Sequence, residues 1–398
     1  MGKFITRESY LNRLIDLRET PDIKIITGIR RSGKSELLKA YIDYLKNNYD
    51  NANIIFIDFN DIVFSELKDH LSLNSYIEKS YDPKKINFVF IDEVQICKDF
   101  EITVNSLHNS KKYDIYITGS NAFLLSSDLA TLFTGRFIEI QVFPFSFREF
   151  SIYYDDIKDI SKLFDMYVKQ GGMAGAYNYK NEEDVASYIR DVYVTIVMRD
   201  LVSKYSIQNT AVLDNLSEFL MDNIANITSP NKISNTLSSN KIATNHVTIQ
   251  NYIKYLCNAF LFYDIYRYDM KGKKYLETSK KYYLCDISFR HAINGNRNQD
   301  FGRIYENIVA IELLRRGYRV YVGKFGEKEI DFIALKGNDK IYIQVSDNIS
   351  DDNTFKREVS SLLQIRDAYP KMLIARTNHE DYTYEGVKII DIKNWLLS

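Results

Sequence analysis

The sequence predicts a multidomain α/β protein whose amino-terminal part is built on a parallel β-sheet. Three observations lead to this prediction. Short apolar segments alternate with helical patterns as far as residue 155, in the order of βαβ units. A glycine-rich octapeptide stands between the first of these segments and a helical pattern. The 398 residues are more than one hydrophobic core usually holds, so more than one domain is expected.

Five segments are the expected strands of the first sheet: 23–27, 53–59, 87–91, 115–118 and 137–142. Pro144 and the aromatic residues around it indicate where the chain leaves this sheet. Residues 156–225 then show helical periodicity with apolar stripes, which are typical of a core-facing helix rather than a binding surface. We therefore expect a helical connecting region after the first domain.

A complete phosphate-binding loop, G-I-R-R-S-G-K-S, follows the first expected strand. Its eight residues are the candidate nucleotide-binding residues: Gly28, Ile29, Arg30, Arg31, Ser32, Gly33, Lys34 and Ser35. The glycines allow backbone N–H groups to surround a phosphate at the positive end of a helix dipole. Lys34 is expected to reach the β- and γ-phosphates of ATP, and the Ser35 hydroxyl to ligate Mg²⁺. The alternative is a glycine turn with an incidental lysine.

Two carboxylates, Asp92 and Glu93, end the third expected strand. Asp92 is expected to hold Mg²⁺ through water, and Glu93 to orient or deprotonate the attacking water. Alone, such a segment is usually a strand that meets a solvated helix start, but the phosphate-binding loop upstream favours the functional interpretation. After the next strand, Ser120 or Asn121 is a candidate sensor of the γ-phosphate, with an ordinary strand-end turn as the alternative.

The composition narrows the function classes. A net charge of −1 argues against a chain wrapped in nucleic acid along its whole length, although one local basic face is compatible with it. The three cysteines are far apart, so neither a disulfide framework nor a cysteine-based zinc site is indicated. No apolar run approaches membrane-spanning length, and the start lacks a signal-peptide pattern. A cytoplasmic location is therefore expected.

Residues 226–295 read as helix, helix, hairpin, the order of a winged helix. From 226 to 290 there are ten Lys and Arg against four Asp and Glu, an excess of six positive charges. Such a cluster is compatible with a DNA phosphate-binding face, and Lys271, Lys273 and Lys274 in the hairpin turn are its candidate contacts. The alternative is a protein-contact module with a solvated charged face.

The last hundred residues begin with an amphipathic helix at 303–316. A strand at 318–322 follows, and then a pair of strands at 329–335 and 340–346, for which a hairpin is the natural interpretation. The chain therefore has a third region of strands and helices beyond the winged-helix pattern.

Several motifs resemble those of a large group of AAA-type ATPases from archaea and bacteria. They are the phosphate loop with its double arginine and the segments IDEVQ at 91–95, TGSNA at 118–122, LLS at 124–126, LFTGR at 132–136 and PFSFREF at 144–150. The resemblance covers nearly the whole chain. It implies an AAA-type P-loop domain at 1–155, the helical region at 156–225, a winged helix at 226–295 and a restriction-endonuclease-like α/β domain at 296–398.

The resemblance also places an arginine at Arg136. An arginine near the γ-phosphate neutralises transition-state charge. Whether Arg136 acts in its own subunit or in a neighbouring one is open at this point. A structural role, pairing with Glu139 or Glu149, is the alternative.

The endonuclease-like region departs from its family pattern where chemistry would occur. Such nucleases use clustered carboxylates for Mg²⁺ and a Glu-x-Lys on the second hairpin strand. Here Glu306 and Asp331 are present, but the second strand has Gln344 and Ser346 at the Glu and Lys positions. One carboxylate and the lysine are missing, and we do not expect nuclease activity.

The sequence thus predicts a Mg²⁺-dependent ATPase whose nucleotide state controls a winged-helix and nuclease-like arm on DNA. The alternative is an ATP-gated protein-interaction switch that contacts no nucleic acid, and a lesser alternative is an ATP-regulated nuclease. Expected ligands are ATP or ADP with Mg²⁺, and expected partners are DNA, a partner protein or further copies of the chain, without a membrane.

Overall fold

The structure is a computed structural model that describes residues 3–119, 133, 135–270, 272, 274–295, 300–326, 328–377 and 379–398, with the backbone alone at 274–278. The chain forms two compact units. The first contains the chain up to Phe143 together with Asn258–Phe260, and the second contains Pro144–Cys257 and Leu261–Ser398. Within the described ranges, no helix combines the length and apolar character needed to cross a membrane.

The first unit is a parallel α/β sheet, as predicted. Its strands are β1 (Ile23–Thr27), β2 (Ala52–Asp58), β3 (Ile86–Asp92), β4 (Tyr113–Thr118) and β5 (Phe137–Gln141), in the spatial order β2-β3-β4-β1-β5. Each expected strand is confirmed to within two residues. Its helices are α1 (Glu8–Asp16), α2 (Lys34–Asn48), α3 (His70–Lys79) and α4 (Phe100–Ser110), with short 3₁₀ turns at Ile62–Leu67 and Val94–Ile96.

The core of this unit lies on both faces of the sheet, which explains the near-continuous apolar strands. Ile57, Ile91 and Ile117 belong to the cluster on one face, and Ile26, Phe90 and Tyr116 to the cluster on the other. All pairings of this sheet are parallel. The carboxyl ends of the strands therefore meet at one edge, and the segments that follow β1, β3 and β4 are brought together there.

The second unit begins with helices. They are α5 (Phe147–Tyr153), α6 (Ile160–Gln170), α7 (Glu182–Val194), a π-helical turn (Thr195–Leu201), α8 (Val202–Tyr205), α9 (Thr210–Asp222), α10 (Pro230–Ser239) and α11 (His246–Asn258), with a 3₁₀ turn at Ala174–Asn178. Local caps define two of the starts. Ser146 and Glu149 form a capping box at α5, and Ser229 caps α10 with Pro230 at its first position.

An eight-stranded mixed sheet completes the second unit. Its strands are β6 (Phe262–Asp269), β7 (Lys274–Leu284), β8 (Arg319–Phe325), β9 (Lys328–Lys336), β10 (Asp339–Ser346), β11 (Lys371–Ala375), β12 (Tyr382–Tyr384) and β13 (Val387–Asp391), in the order β12-β13-β11-β10-β9-β8-β6-β7. The helices among them are α12 (Ile287–Asn294), α13 (Phe301–Arg315), α14 (Asp352–Leu363) and α15 (Ile392–Leu397). The predicted hairpin of β9 and β10 is confirmed.

The helix, helix, hairpin order predicted for 226–295 is present. Its hairpin does not form a separate small sheet, because both strands belong to the eight-stranded sheet. Strand β6 pairs in parallel with β8 at Arg267–Asp269, so the hairpin is part of the same sheet as β9 and β10. The register of β6 and β7 shifts between Tyr266 and Arg267. Such an irregularity bends a strand. One end of β6 can therefore pair with β8 while the other end turns away from that strand.

Candidate functional site

The phosphate loop follows β1 and leads directly into α2, which begins at Lys34. Gly28 has φ +137°, and a Cβ at this position would lie 2.1 Å from the Val142 carbonyl oxygen. Gly33 has φ +93° and Arg31 has φ +67°. Any side chain at position 28 would collide with the Val142 backbone, and the positive φ would strain a residue other than glycine. Glycine is therefore required where the loop passes the end of β5.

Lys34 is buried, and its ammonium stays on its own loop. Nζ donates hydrogen bonds to the carbonyl oxygens of Gly28 at 3.0 Å and Ile29 at 2.9 Å. Among the described residues, the Ser32 hydroxyl is buried in the same loop with no hydrogen-bond partner. A buried hydroxyl without a partner is rare in a folded protein. A phosphate oxygen would satisfy it, and the loop therefore fits the phosphate of a nucleotide.

Asp92 ends β3 next to Ser35, so two of the predicted metal ligands are together. Burial raises the pKa of Asp92, and hydrogen bonds from the Thr118 and Ser35 hydroxyls oppose that rise. Its second oxygen, Oδ2, is buried without a hydrogen-bond partner among the described residues. Carboxylate and hydroxyl oxygens are the ligands that Mg²⁺ prefers. Ser35 and Asp92 are therefore the residues that would hold Mg²⁺ at this site.

Glu93 is placed beside Asp92 by an unusual backbone conformation, with φ +54°. Its N–H donates to Thr118 Oγ1 at 2.9 Å, and its carboxylate accepts a hydrogen bond from the Gln95 amide. A non-glycine residue in the left-handed region marks a position that surrounding contacts hold in place. The backbone at Glu93 is therefore set by the end of the neighbouring strand.

Thr118 is a site residue that the sequence interpretation passed over. Its hydroxyl donates to Asp92 and accepts from the Glu93 N–H, so one side chain orients both carboxylate-bearing residues. The signal in the sequence was a polar residue at the end of the apolar strand β4. The predicted sensors after it, Ser120 and Asn121, lie outside the described residues.

Arg136 directly precedes β5 and lies at the end of the sheet opposite the phosphate loop. Its carbonyl oxygen accepts a 2.8 Å hydrogen bond from the N–H of Ile23, at the beginning of β1. The phosphate loop follows the end of β1, about 13 Å away for a five-residue strand. The exposed guanidinium contacts Asn109 Oδ1 at 3.4 Å, and no ion pair joins it to Glu139 in the described part of the chain. Arg136 is therefore separated from the phosphate loop of its own chain by about the length of β1.

Arg7 is a second residue that no local pattern marks. It is buried, and its Nη1 donates to the carbonyl oxygens of Ser32 and Phe143, each at 2.9 Å. Its guanidinium lies 4.6 Å from the ring centroid of Tyr10, whose hydroxyl accepts a 3.3 Å hydrogen bond from the Phe143 N–H. Arg7 thus ties the phosphate loop to the chain that leaves β5.

Replacing Arg7 with methionine is expected to weaken ATP binding at least about tenfold, because the variant cannot form the two charge-assisted hydrogen bonds that hold the loop. Titration with a fluorescent nucleotide measures the effect. Arg13→Met, an exposed position of the helix α1 that follows Arg7, is the matched control and should bind as the wild type does. Equal affinity in a folded Arg7→Met variant would show that the loop keeps its shape without this arginine.

The carboxylates of the second unit are also brought together. Glu306 on α13 and Asp331 on β9 both face the ammonium of Lys281, on β7. Gln344 on β10 accepts a 3.3 Å hydrogen bond from the Asp331 N–H, while the Ser346 hydroxyl donates to a nearby carbonyl. The sequence interpretation that no cation is present here is wrong. Strand β7 supplies a lysine from outside the region where the nuclease pattern has one.

The side chains of the three predicted DNA contacts lie outside the described part of the structure. Lys271 and Lys273 lie outside the described residues, and Lys274 begins β7 with its backbone alone described. The basic character of this hairpin therefore rests on the sequence.

Comparisons with known proteins identify an AAA domain in the first unit. An AAA domain family matches residues 20–151, and a domain of unknown function (DUF8612) matches residues 161–300. An uncharacterized protein of Haemophilus influenzae is 39% identical over 99% of this chain and 98% of its own length. Uncharacterized protein MJ1544 of Methanocaldococcus jannaschii is 28% identical over 88% of this chain and 80% of its own.

Among solved structures, the Aeropyrum pernix ORC1 protein in complex with DNA covers 74% of this chain and 94% of its own, with 10% identity and a TM-score of 0.34. A TM-score this low reflects only partial agreement of the two backbones. The family assignment therefore rests on the sequence matches, in which the AAA domain covers the phosphate loop, Asp92 and Glu93. Because the Haemophilus protein matches almost from end to end, this chain belongs to the same family as that protein, and residues 20–151 of the chain form an AAA domain.

Proposed function

We propose that this protein binds ATP with Mg²⁺ and hydrolyses it, and that the nucleotide state controls the remainder of the chain on DNA. The observation that carries the proposal is the grouping of Lys34, Ser35 and Asp92 beside two buried oxygens, Ser32 Oγ and Asp92 Oδ2, that have no hydrogen-bond partner in the described part of the chain. These atoms are arranged for an anion and a hard cation.

Each residue of the site has a distinct proposed task. Lys34 exchanges the carbonyls of Gly28 and Ile29 for phosphate oxygens, which gives its charge a negative partner. Ser35 and Asp92 hold Mg²⁺, which when bound neutralises charge on the β- and γ-phosphates. Glu93 orients the attacking water or accepts a proton from it. Thr118 fixes the positions of Glu93 and Asp92 relative to each other through its two hydrogen bonds.

The position of Arg136 favours a homo-oligomer. We assign this exposed arginine, which lies at the opposite end of β1 from the phosphate loop, to the nucleotide of an adjacent copy. We therefore propose that turnover depends on assembly and on the arginine of a neighbour.

ATP turnover by the full chain, measured without DNA and with single- or double-stranded DNA, tests the proposal. Mg²⁺-dependent phosphate release is expected, and stimulation by DNA supports action on DNA. Turnover that ignores DNA at every salt concentration supports the alternative, an ATP-gated protein-interaction switch. Failure to bind ATP at all contradicts both.

Changing Lys271, Lys273 and Lys274 to glutamate is expected to weaken DNA binding for every sequence. The slope of log affinity against log salt should flatten by roughly 0.9 for each DNA phosphate that the variant no longer neutralises, because fewer counterions are released. A binding titration at several salt concentrations measures this slope.

A matched control alters charge equally elsewhere. Lys84, Lys85 and Lys98 are exposed in the first unit, and their change to glutamate should leave the salt slope closer to that of the wild type. If both triple variants behave alike, the hairpin has no special role in binding DNA.

A further inference from the structure

A buried lysine lies at the centre of the carboxylate cluster of the second unit. Lys281 Nζ is 2.8 Å from Glu306 Oε1, 2.7 Å from Glu329 Oε1 and 3.6 Å from Asp331 Oδ1. An ammonium has three N–H donors, and here each has a carboxylate to face. The Lys281 side chain is 4% exposed, so water does not compete for these donors.

The position of Lys281 is fixed by contacts of the residues that follow it on β7. Tyr283, two residues on, donates from its hydroxyl to Glu306 Oε1 at 2.7 Å. Asn307 exchanges two hydrogen bonds with the backbone of Leu284, at 2.8 and 2.9 Å. These bonds fasten β7 to α13 at the level of the cluster. The register shift in the β6 and β7 hairpin lies nearby, between Tyr266 and Arg267.

Two cations of this chain lie among the carboxyl groups of the cluster. Glu306, Glu329 and Asp331 face Lys281, and Arg267 Nη2 lies 4.0 Å from Glu329 Oε2. Burial, followed by the nearby Glu306 carboxylate, raises the pKa of Asp331 to about 8. Burial likewise raises the pKa of Glu306, and the nearby Lys281 ammonium opposes that rise. The cluster therefore carries cations of its own, in Lys281 and Arg267.

We infer that the Lys281 ammonium is the resident cation of this site, standing where a divalent ion would otherwise bridge Glu306, Glu329 and Asp331. The wild-type site is then closed to divalent metal. Breaking a buried ion pair leaves uncompensated charge, so removal of the ammonium creates a demand for another cation. Oxygen ligands at this density suit a hard ion such as Ca²⁺, Mn²⁺ or a lanthanide.

The test replaces Lys281 with methionine in the full chain and titrates with Tb³⁺. Tyr283 touches Glu306 and serves as the antenna that transfers excitation to a bound lanthanide. We expect Lys281→Met to bind one more Tb³⁺ than the wild type, with an affinity at this site at least about tenfold higher, and to show new tyrosine-sensitised emission. Adding Asp331→Asn should remove the gain.

The neighbouring lysine provides a matched control. Lys280 is paired with Asp264 at 2.5 Å, apart from the cluster. Lys280→Met makes the same chemical change one residue away and should gain no Tb³⁺ site. Every variant carries the phosphate-loop site unchanged, so ions bound there cancel in the comparison.

Two results would overturn the inference. One is a wild-type Tb³⁺ site that disappears with Asp331→Asn and is as tight as that of Lys281→Met. The other is a folded Lys281→Met variant, judged by circular dichroism, that gains no ion. If Lys281→Met does not fold alone, millimolar Ca²⁺ should restore its circular dichroism spectrum, and no recovery would likewise overturn the inference.

Discussion

Replacing Lys34 with alanine is expected to abolish measurable ATP binding, whereas Glu93→Gln should retain binding and lose turnover. Lys34 is the buried cation of the phosphate loop, so its removal takes away charge compensation in the ground state and lowers affinity by about 100-fold or more. Glu93 acts on the water, so its amide leaves binding intact and slows turnover by roughly 10² to 10⁴.

Nucleotide titration and phosphate release on the same preparations separate the two effects. Gln95 hydrogen-bonds the Glu93 carboxylate, so Gln95→Ala is a useful companion that should alter turnover less than Glu93→Gln. Turnover at the wild-type rate in Glu93→Gln would sink the assignment of the water-handling residue. Undiminished ATP binding in Lys34→Ala would contradict the assignment of Lys34 to the phosphates.

Arg136→Ala is expected to reduce turnover by about 10³ or more while leaving ATP binding unchanged, because the arginine is proposed to act on the nucleotide of a neighbour. Mixing this variant with Lys34→Ala should restore part of the activity. In mixed assemblies, the intact loop of one copy then meets the intact Arg136 of the other.

Phosphate release by the mixture, compared with each variant alone, is the measurement. Arg366→Ala, exposed in the second unit, is the control for removal of a surface arginine. Recovery in the mixture establishes action between copies. Full activity of Arg136→Ala alone would assign this arginine a structural role, and a mixture as inactive as its components would contradict action between subunits.

The sequence was most informative where function depends on neighbouring residues. The spacing from Gly28 to Ser35 is a local property, and the structure forms the loop where it was predicted, between β1 and α2. Asp92 follows from the same logic. Parallel strands bring their carboxyl ends to the same end of the sheet, so an acidic residue that ends β3 is expected on the same side of the sheet as the loop after β1.

Contacts between distant segments were not predictable in this way. Arg7 reaches Phe143, 136 residues away. Thr118 unites Asp92 and Glu93 only because β4 pairs with β3. The cis or trans role of Arg136 was open in the sequence. The register of β5 on β1 shows where this arginine lies, which is beside the start of β1 and at the opposite end of that strand from the phosphate loop.

The sequence by itself determined the phosphate loop, the strand-end carboxylates and the parallel sheet of the first unit, because each depends on periodicity or spacing within a short stretch. Only the tertiary structure decided that Lys281 of β7 enters the carboxylate cluster formed by α13 and β9. A hairpin lysine and a strand aspartate carry no local signal of their proximity. Their meeting depends on which strands pair and where the register of β6 and β7 shifts.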